Sequence, residues 1–482
     1  MDIVVYILLG VLAALLALVA FILIRTAAFK PHPVSNSAAE SVDFDASAAT
    51  DSLAQLIRCR TVSYSDPALE DEGEFQRLKS LLPTLFPEVA RECEYHEFDG
   101  RGILYKWVGR SAGDPAVLMA HYDVVPVNRE QWSRDPFGGE IVDGVLWGRG
   151  TLDTKVTFNS ILFAVNKMIG DGFLPERDVY LAFSGSEEVN GIGAPCIVDY
   201  FEKNGINPAF VLDEGGAVVN NVFPGVHEPC ALVGIAEKGF INIELSVKSN
   251  GGHASAPKPH TPVGVLARAC YNVESKPFKR HLTPPVAGMF DELGRRSTFI
   301  YRMIFSNLWL FEPVLDIICK KSGGDINAMM RTTVAFTQME GSSAPNVIPP
   351  EARMVANMRL NPYDTVEGAR EYIRKVVDDP SIEVKVLAGN DPSRISTVDC
   401  DGYRMIDRAI RDTWGVEIVS PYLMVQCSDS RHWGRLSDRV YRFSTMDLSN
   451  EERATIHGND ERIRLDCLAH SVEFYLRLLK GC

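Results

Sequence analysis

The chain has 482 residues, well above the ~150 expected per domain, so it holds more than one folded unit. Hydrophobic residues make up 46% and charged residues 23%, a globular composition that excludes disorder or collagen as the main description. A net charge of −14 argues against a nucleic-acid partner, since phosphate binding needs surplus Lys and Arg, whereas carboxylates can ligate cations.

The first element is an uncharged, almost wholly apolar run of 22 residues from Ile3 to Ile24. As a helix it would reach ~33 Å, enough for a hydrocarbon layer of ~30 Å. Asp2 precedes the run and Arg25 follows it, without the basic leader and short apolar core of a signal peptide. It therefore reads as an uncleaved single-pass membrane anchor, with a cleaved signal peptide as the rival. Arg25 and Lys30 would put the following chain in the cytoplasm. Two charges do not decide the side, and the chain contains no N-x-S/T glycosylation site.

Residues 31–50, rich in Ser, Ala, Asp and Pro, read as a tether. Beyond them, apolar strand-like runs alternate with helical stretches, the pattern of an α/β domain. Strands are expected at Val117–Ala120, Val179–Phe183 and Phe210–Leu212. The period changes at Ile241–Lys248, where INIELSVK alternates apolar and polar residues as an antiparallel strand with one wet face would. Glu351–Leu360 is its expected partner, with helices between them at Val263–Asn272 and in the aromatic stretch Phe299–Cys319. Asp364 and Glu367, in capping-box spacing, open the next helix. The resulting division is an anchor and flank at 1–30, the linker 31–50, a first catalytic part at 51–237, an inserted α+β domain at 238–361 and a second catalytic part at 362–482. Ten scattered cysteines without a C-x-x-C pair read as reduced core residues.

Three expected strands end on chemistry. Val117–Ala120 runs into His121 and Asp123, Val179–Phe183 into Glu187 and Glu188, and Phe210–Leu212 into Asp213 and Glu214. Ligands in open α/β sheets bind beyond the carboxyl ends of strands, so these groups would meet on one rim with Asp153 and His457. Two histidines among several carboxylates form a zinc-type donor set.

The segments MAHYDVVPV, WGRGTLDTK, SGSEEVNG, VLDEGG, GGHAS, NVIPPEARMVANMR and TIHGNDE occur in this order from about Leu53 onward. They resemble the aminoacylase and carboxypeptidase S family of two-zinc amidohydrolases. SNLWLFEP followed by RTT is most similar to the branch of carboxypeptidase S and the N-fatty-acyl-amino-acid hydrolases. The resemblance implies a zinc-peptidase-type mixed sheet flanked by helices, with the inserted domain serving as lid and dimerisation unit. It implies two Zn2+ per chain, on ligands that can also take Co2+ or Mn2+. His121 and Glu214 would hold one ion, Glu188 and His457 the other, and Asp153 would bridge them, with Asp213 the alternative to Glu214. Glu187 would be the general base, Asp123 would orient His121, and His253 would stabilise the oxyanion, commonly from the other subunit of a homodimer. Asn346, Arg359 and Ser428 would bind a substrate with a free carboxylate.

The expected activity is zinc-dependent hydrolysis of an amide bond, releasing the C-terminal residue of a short peptide or the amino acid of an N-acyl amino acid. Deacylation of a small acetylated or succinylated intermediate is the second reading, and an inactive scaffold the third. Phe299–Cys319 has two readings of its own: packed core of the inserted domain, which is the default, or a lipid-facing or acyl-binding surface.

Overall fold

Apolar runs without polar alternation can only be buried on both faces, and Ala116–His121 and Val179–Ser184 are buried at every position. A computed structural model describes residues 3–33, 40–221 and 223–482 and places these strands at the centre of an eight-stranded sheet. The strand order is Glu94–Phe98, Gly102–Trp107, Val179–Ser184, Ala116–His121, Phe210–Val219, Val440–Asp447, Cys230–Glu237 and Ile418–Met424. Ala116–His121 is parallel to both neighbours, while Gly102–Trp107 runs antiparallel beside them, so the sheet is mixed.

Side chains leave each strand on alternate faces. Ala116, Leu118 and Ala120 meet the helices Ala46–Ile57, Lys155–Gly170 and Leu465–Leu479. Val117 and Met119 meet Ile197, Val198 and Phe201 of Gly193–Lys203 on the other side. The result is a sheet covered on both faces, as the alternating pattern implied. The helix Ala46–Ile57 starts inside the expected linker, with Asp45 accepting from the Ala48 amide as its N-cap. Linker residues 34–39 lie outside the described residues.

A second sheet has the order Thr333–Glu340, Glu351–Leu360, Gly239–Lys248, Ile382–Asn390, all antiparallel. The alternating segment pairs with Glu351–Leu360 in register from Lys248 opposite Glu351 to Gly239 opposite Leu360. Its inward residues Ile241, Ile243, Leu245 and Val247 pack beneath the helices Pro262–Ser275 and Val366–Val377. The chain leaves this unit after Asn390 rather than at residue 361, because Ile382–Asn390 hydrogen-bonds along Gly239–Lys248. Thr365, not Asp364, caps the helix Val366–Val377 by accepting from the Gly368 amide. Asp364 instead accepts a hydrogen bond from the Thr332 hydroxyl.

Residues 284–330 join neither small-sheet face. Pro284–Arg296 packs on the edge strand Ile418–Met424 of the large sheet, burying Val286, Met289, Phe290 and Leu293 with Phe223, Phe305 and Met330. The aromatic stretch forms two helices, Phe299–Ser306 and Leu308–Ser322, joined at Asn307. The core reading of this stretch fails: Phe299, Ile300, Trp309, Val314, Ile317 and Ile318 are exposed. Only one side of each helix packs against the protein, through residues such as Phe305 and Cys319.

The apolar run forms the helix Ile3–Ala28, long and apolar enough to cross a bilayer, and its most apolar window is 6% buried. All ten cysteines are free, and Cys59, Cys230, Cys319, Cys467 and Cys482 are buried.

Phe210–Val219 is longer than expected and carries an irregularity. Asp213 pairs with Arg442, yet Gly216 already pairs with Phe443, so Glu214 and Gly215 bulge out of the ladder. A Cβ at Gly216 would stand 1.8 Å from the Leu232 carbonyl oxygen. Gly216→Ala is therefore expected to cost at least ~1–3 kcal/mol, as overpacking does. Gly113→Ala is the control, because no atom lies within 4 Å of its Cβ position. Thermal unfolding of the two variants checks this: a lower midpoint for the first and an unchanged one for the second.

Candidate metal centre and its cavity

Parallel strands deliver their carboxyl ends to one edge of the sheet, and there the separated histidines and acids converge. His121 ends its strand and is 2% exposed. Its Nδ1 lies 3.0 Å from the Asp123 carbonyl oxygen, so Nδ1 carries a proton and Nε2 is the nitrogen turned toward the acids. That Nε2 is 2.9 Å from Asp153 Oδ1 and 3.5 Å from Glu214 Oε1. On the other side, His457 Nε2 is 3.0 Å from Asp153 Oδ2 and 3.1 Å from Glu188 Oε2. The two oxygens of Asp153 thus face two different imidazoles.

Four donors at ~2.0–2.1 Å around a tetrahedral zinc stand ~3.3 Å apart. The imidazole–carboxylate spacings around His121 (2.9 and 3.5 Å) and around His457 (3.0 and 3.1 Å) are close to that value, and His121, Asp153 and Glu188 also lie within 4.8 Å of one another. His121, Glu187 and Glu214 also offer donor atoms within 4.8 Å of one another. Glu188 Oε1 is buried without a hydrogen-bond partner. The residues present therefore fit a pair of divalent cations.

The electrostatics point the same way. Burial lifts Glu214 to about 8 and pushes Glu187 and Glu188 upward, since neighbouring carboxylates add to the desolvation. Burial would also raise Asp153, but hydrogen bonds from both imidazoles hold it below the usual carboxylate range. Hydrogen bonds to Asp153 and Glu188 raise His457 to about 10. Burial opposes a charge on His121, yet the carboxylates of Glu214, Asp123 and Asp153 raise it. The pocket favours positive charge at its centre.

A layer of buried acids holds this cluster in place. Asp123 is fully buried, and its two oxygens accept from the amides of Glu187 (3.1 Å) and Glu188 (3.2 Å). Its carboxylate thus fixes the Glu187–Val189 turn, while the shorter contact to His121 comes from its backbone carbonyl. Asp213 accepts from the Ser430 amide at 2.9 Å, and Glu214 is the member of the pair that lies 3.5 Å from His121.

Sequence reasoning missed Glu461. Fully buried, it accepts from the amides of Gly150, Leu152 and Asp153 at 3.1, 2.7 and 3.1 Å and pairs with Arg149 at 2.6 Å. It fixes the loop that presents Asp153. Its place in TIHGNDERI, four residues after His457, was the available signal. Asp429 was also missed. Its carboxylate is buried, and burial, with Asp213 and Asp123 nearby, raises it to about 7.

The remaining expected residues are dispersed. Ser428 is fully buried, and its hydroxyl donates to Glu237 Oε2 (2.9 Å) and meets Ser430 Oγ (2.6 Å). Glu237 also holds Arg442, so Ser428 belongs to a buried polar network and does not face open space. Arg359 lies on the small sheet with one guanidinium nitrogen 3.4 Å from Cys427 Sγ. His253 and Asn346 sit together on an exposed rim, where the Asn346 carbonyl accepts from Ala254 and the His253 ring contacts Ser255.

A cavity of about 740 Å³ adjoins the centre. Asp153, Glu187, Glu188, Glu214 and His457 line one part; Phe223, Leu232, Met289, Leu293, Ile326 and Met329 line another. Cys427, beside Arg359, and the exposed Arg453 also border it.

The chain is similar to known proteins along most of its length. It is 35% identical to the N-fatty-acyl-amino acid synthase/hydrolase PM20D1 of Xenopus tropicalis, covering 98% of this chain and 94% of that protein. It is 34% identical to a probable carboxypeptidase S-like 2 of Dictyostelium discoideum, covering 89% and 84%. Its fold matches a solved M20 family metallo-carboxypeptidase of Sulfolobus solfataricus with a TM-score of 0.67 at 18% identity, covering 90% of this chain and 98% of that one. Residues 117–481, which carry every acid and imidazole of the centre, match the model of Peptidase family M20/M25/M40, and the chain belongs to that family of hydrolases.

Proposed function

We propose that the chain is a membrane-anchored, two-zinc hydrolase of N-acyl amino acids with long apolar acyl groups. The observation that carries this reading is the cavity, because a metal-type donor cluster and a wall of Phe, Leu, Ile and Met share one space of about 740 Å³. Ligand pockets are typically apolar with a few convergent polar groups, and this one has both kinds of lining. A short peptide cut at its carboxyl end needs the same centre but makes less use of the apolar wall. The exposed helix Ile3–Ala28 supports the anchor.

His121, Asp153 and Glu214 would hold one cation and His457, Asp153 and Glu188 the other. Bound there, the pair would supply Lewis acidity to the amide carbonyl and a water acidified to a pKa of ~7. Glu187, held by Asp123 through its amide, takes the proton from the attacking water and passes it to the leaving amine. Arg359, beside the cavity, receives the free carboxylate of the amino acid, which a guanidinium can hold bidentately. His253 completes the site from a second copy; its exposure on the rim with Asn346 supports that role.

Glu187→Gln is expected to keep its zinc and lose at least ~10²-fold in kcat, measured beside metal analysis of the purified protein. Retained turnover at full zinc content removes Glu187 as the base. Four added methylenes buried in the cavity are worth up to ~3 kcal/mol, or over ~100-fold. Across acetyl, hexanoyl and lauroyl amino acids, kcat/KM should therefore climb steeply; a preference for acetyl would overturn the acyl assignment. His253→Ala should lower kcat by ~10²–10³-fold, as loss of an oxyanion donor does. Mixing it with Glu187→Gln should recover activity if the histidine acts across a dimer, and no recovery would exclude that.

A further inference from the structure

The geometry points to a second membrane contact: we infer that the helical hairpin 299–322 lies in the lipid interface beside the anchor. This inference rests on the anchor reading given above. It goes further in assigning a lipid bilayer as the occupant of an exposed surface in the folded part of the chain.

The anchor does not leave the protein freely. Its last turns dock on the hairpin: Arg25 donates to the Ser306 carbonyl oxygen at 3.2 and 2.9 Å, and Thr26 Oγ1 is 3.2 Å from Ser306 Oγ. Asn307 Nδ2 is 3.4 Å from the Ile22 carbonyl oxygen, and the rings of Phe21 and Trp309 meet edge-on at 6.2 Å. Ile22 and Thr26 are the buried positions of the helix. Phe21 precedes the end of the uncharged run at Ile24 by three residues, or ~4.5 Å of helix. If the run spans the hydrocarbon, Trp309 must sit at its boundary, the depth at which tryptophan is enriched.

The surface suits that depth. Phe299, Ile300, Trp309, Val314, Ile317 and Ile318 are between 53% and 65% exposed. Val314, Ile317 and Ile318 follow helical spacing and form one stripe. Both acids of the hairpin are paired: the half-buried Glu312 with Arg280, and the buried Asp316 with Arg280, Lys320 and Arg331. No unpaired carboxylate among the described residues of 299–322 opposes contact with lipid. Lys320 and Lys321 follow the stripe, where headgroup phosphates would lie.

The inner side of the same hairpin reaches the cavity wall. Phe305 packs on Phe223 with ring centroids 4.8 Å apart, and Phe223 lines the cavity. One layer of side chains separates the apolar wall from the surface assigned to lipid.

Trp309 is a built-in reporter, since the anchor helix contains no tryptophan. The full-length chain and its Trp309→Phe variant are reconstituted into phosphatidylcholine vesicles carrying brominated acyl chains. The wild type should be quenched strongly, and the variant should lose most of that lipid-dependent quenching. Equal quenching in both places Trp309 in water and overturns the inference. Flotation after an alkaline carbonate wash reads the anchor separately, and a chain left behind by the vesicles overturns both readings. Ile317→Asp/Ile318→Asp should still float, keep its turnover of an acetyl-amino acid, and lose at least half of the Trp309 quenching. Unchanged quenching in that double variant would count against the stripe.

Discussion

The carboxylate of Asp153 stands between two imidazoles whose positions in the sequence are 336 residues apart, with one oxygen toward each. Glu188 and Glu214 close on the same pair, and Glu187 lies within 4.8 Å of His121 and Glu214. Buried acids at this density are unfavourable unless positive charge compensates them. The folded chain accepts the arrangement because the strands, helices and loops around it are stabilised elsewhere, by apolar contacts on both faces of the large sheet. The cost is local, and it is the kind of cost that binding a divalent cation offsets.

Rigidity in the centre comes from acids that do not face it. Asp123 collects two amides of the Glu187–Val189 turn, Glu461 collects three from the loop before Thr154, and Asp213 collects the Ser430 amide. Each converts a flexible backbone segment into a fixed platform by satisfying donors that would otherwise be orphaned in the interior. Charge-assisted bonds of this type are about twice as strong as neutral ones. The two adjacent acid pairs divide differently: Glu187 and Glu188 both line the cavity. In Asp213-Glu214 one member serves the scaffold and its neighbour faces the centre.

The sequence made the strand ends and the acids after them legible because strictly apolar runs have one physical explanation in a soluble core. It was less informative in Phe299–Cys319. There Glu312 and Asp316 pair with Arg280 and Arg331 of the protein while Val314, Ile317 and Ile318 are exposed, the reverse of the usual rule that the polar side of a helix meets water. Ser428 was expected at the substrate carboxylate only from the family resemblance, and its hydroxyl is turned into the network of Glu237 and Arg442. The Glu214–Gly216 bulge was invisible for another reason. It depends on the register of Phe210–Val219 against Val440–Asp447, a strand more than two hundred residues later. Glu461 was in view but unassigned, since a lone acid gives no sign that it will meet three amides.

That bulge joins the cluster of acids and imidazoles to the apolar cavity. Within one strand, Glu214 faces His121, Gly216 passes against the Leu232 carbonyl, and Ala217 and Val219 line the cavity. At ~3.3 Å per residue, Glu214 to Val219 covers at most ~16 Å. An acyl group lying along this strand would therefore have its carbonyl and its chain positioned by the same backbone. Movement of Phe210–Val219 relative to Val440–Asp447 would displace both together. On the proposed acyl-amide reading, a single strand would couple where the amide sits to how far the chain reaches, so that chain length would be set by geometry as well as by apolar area.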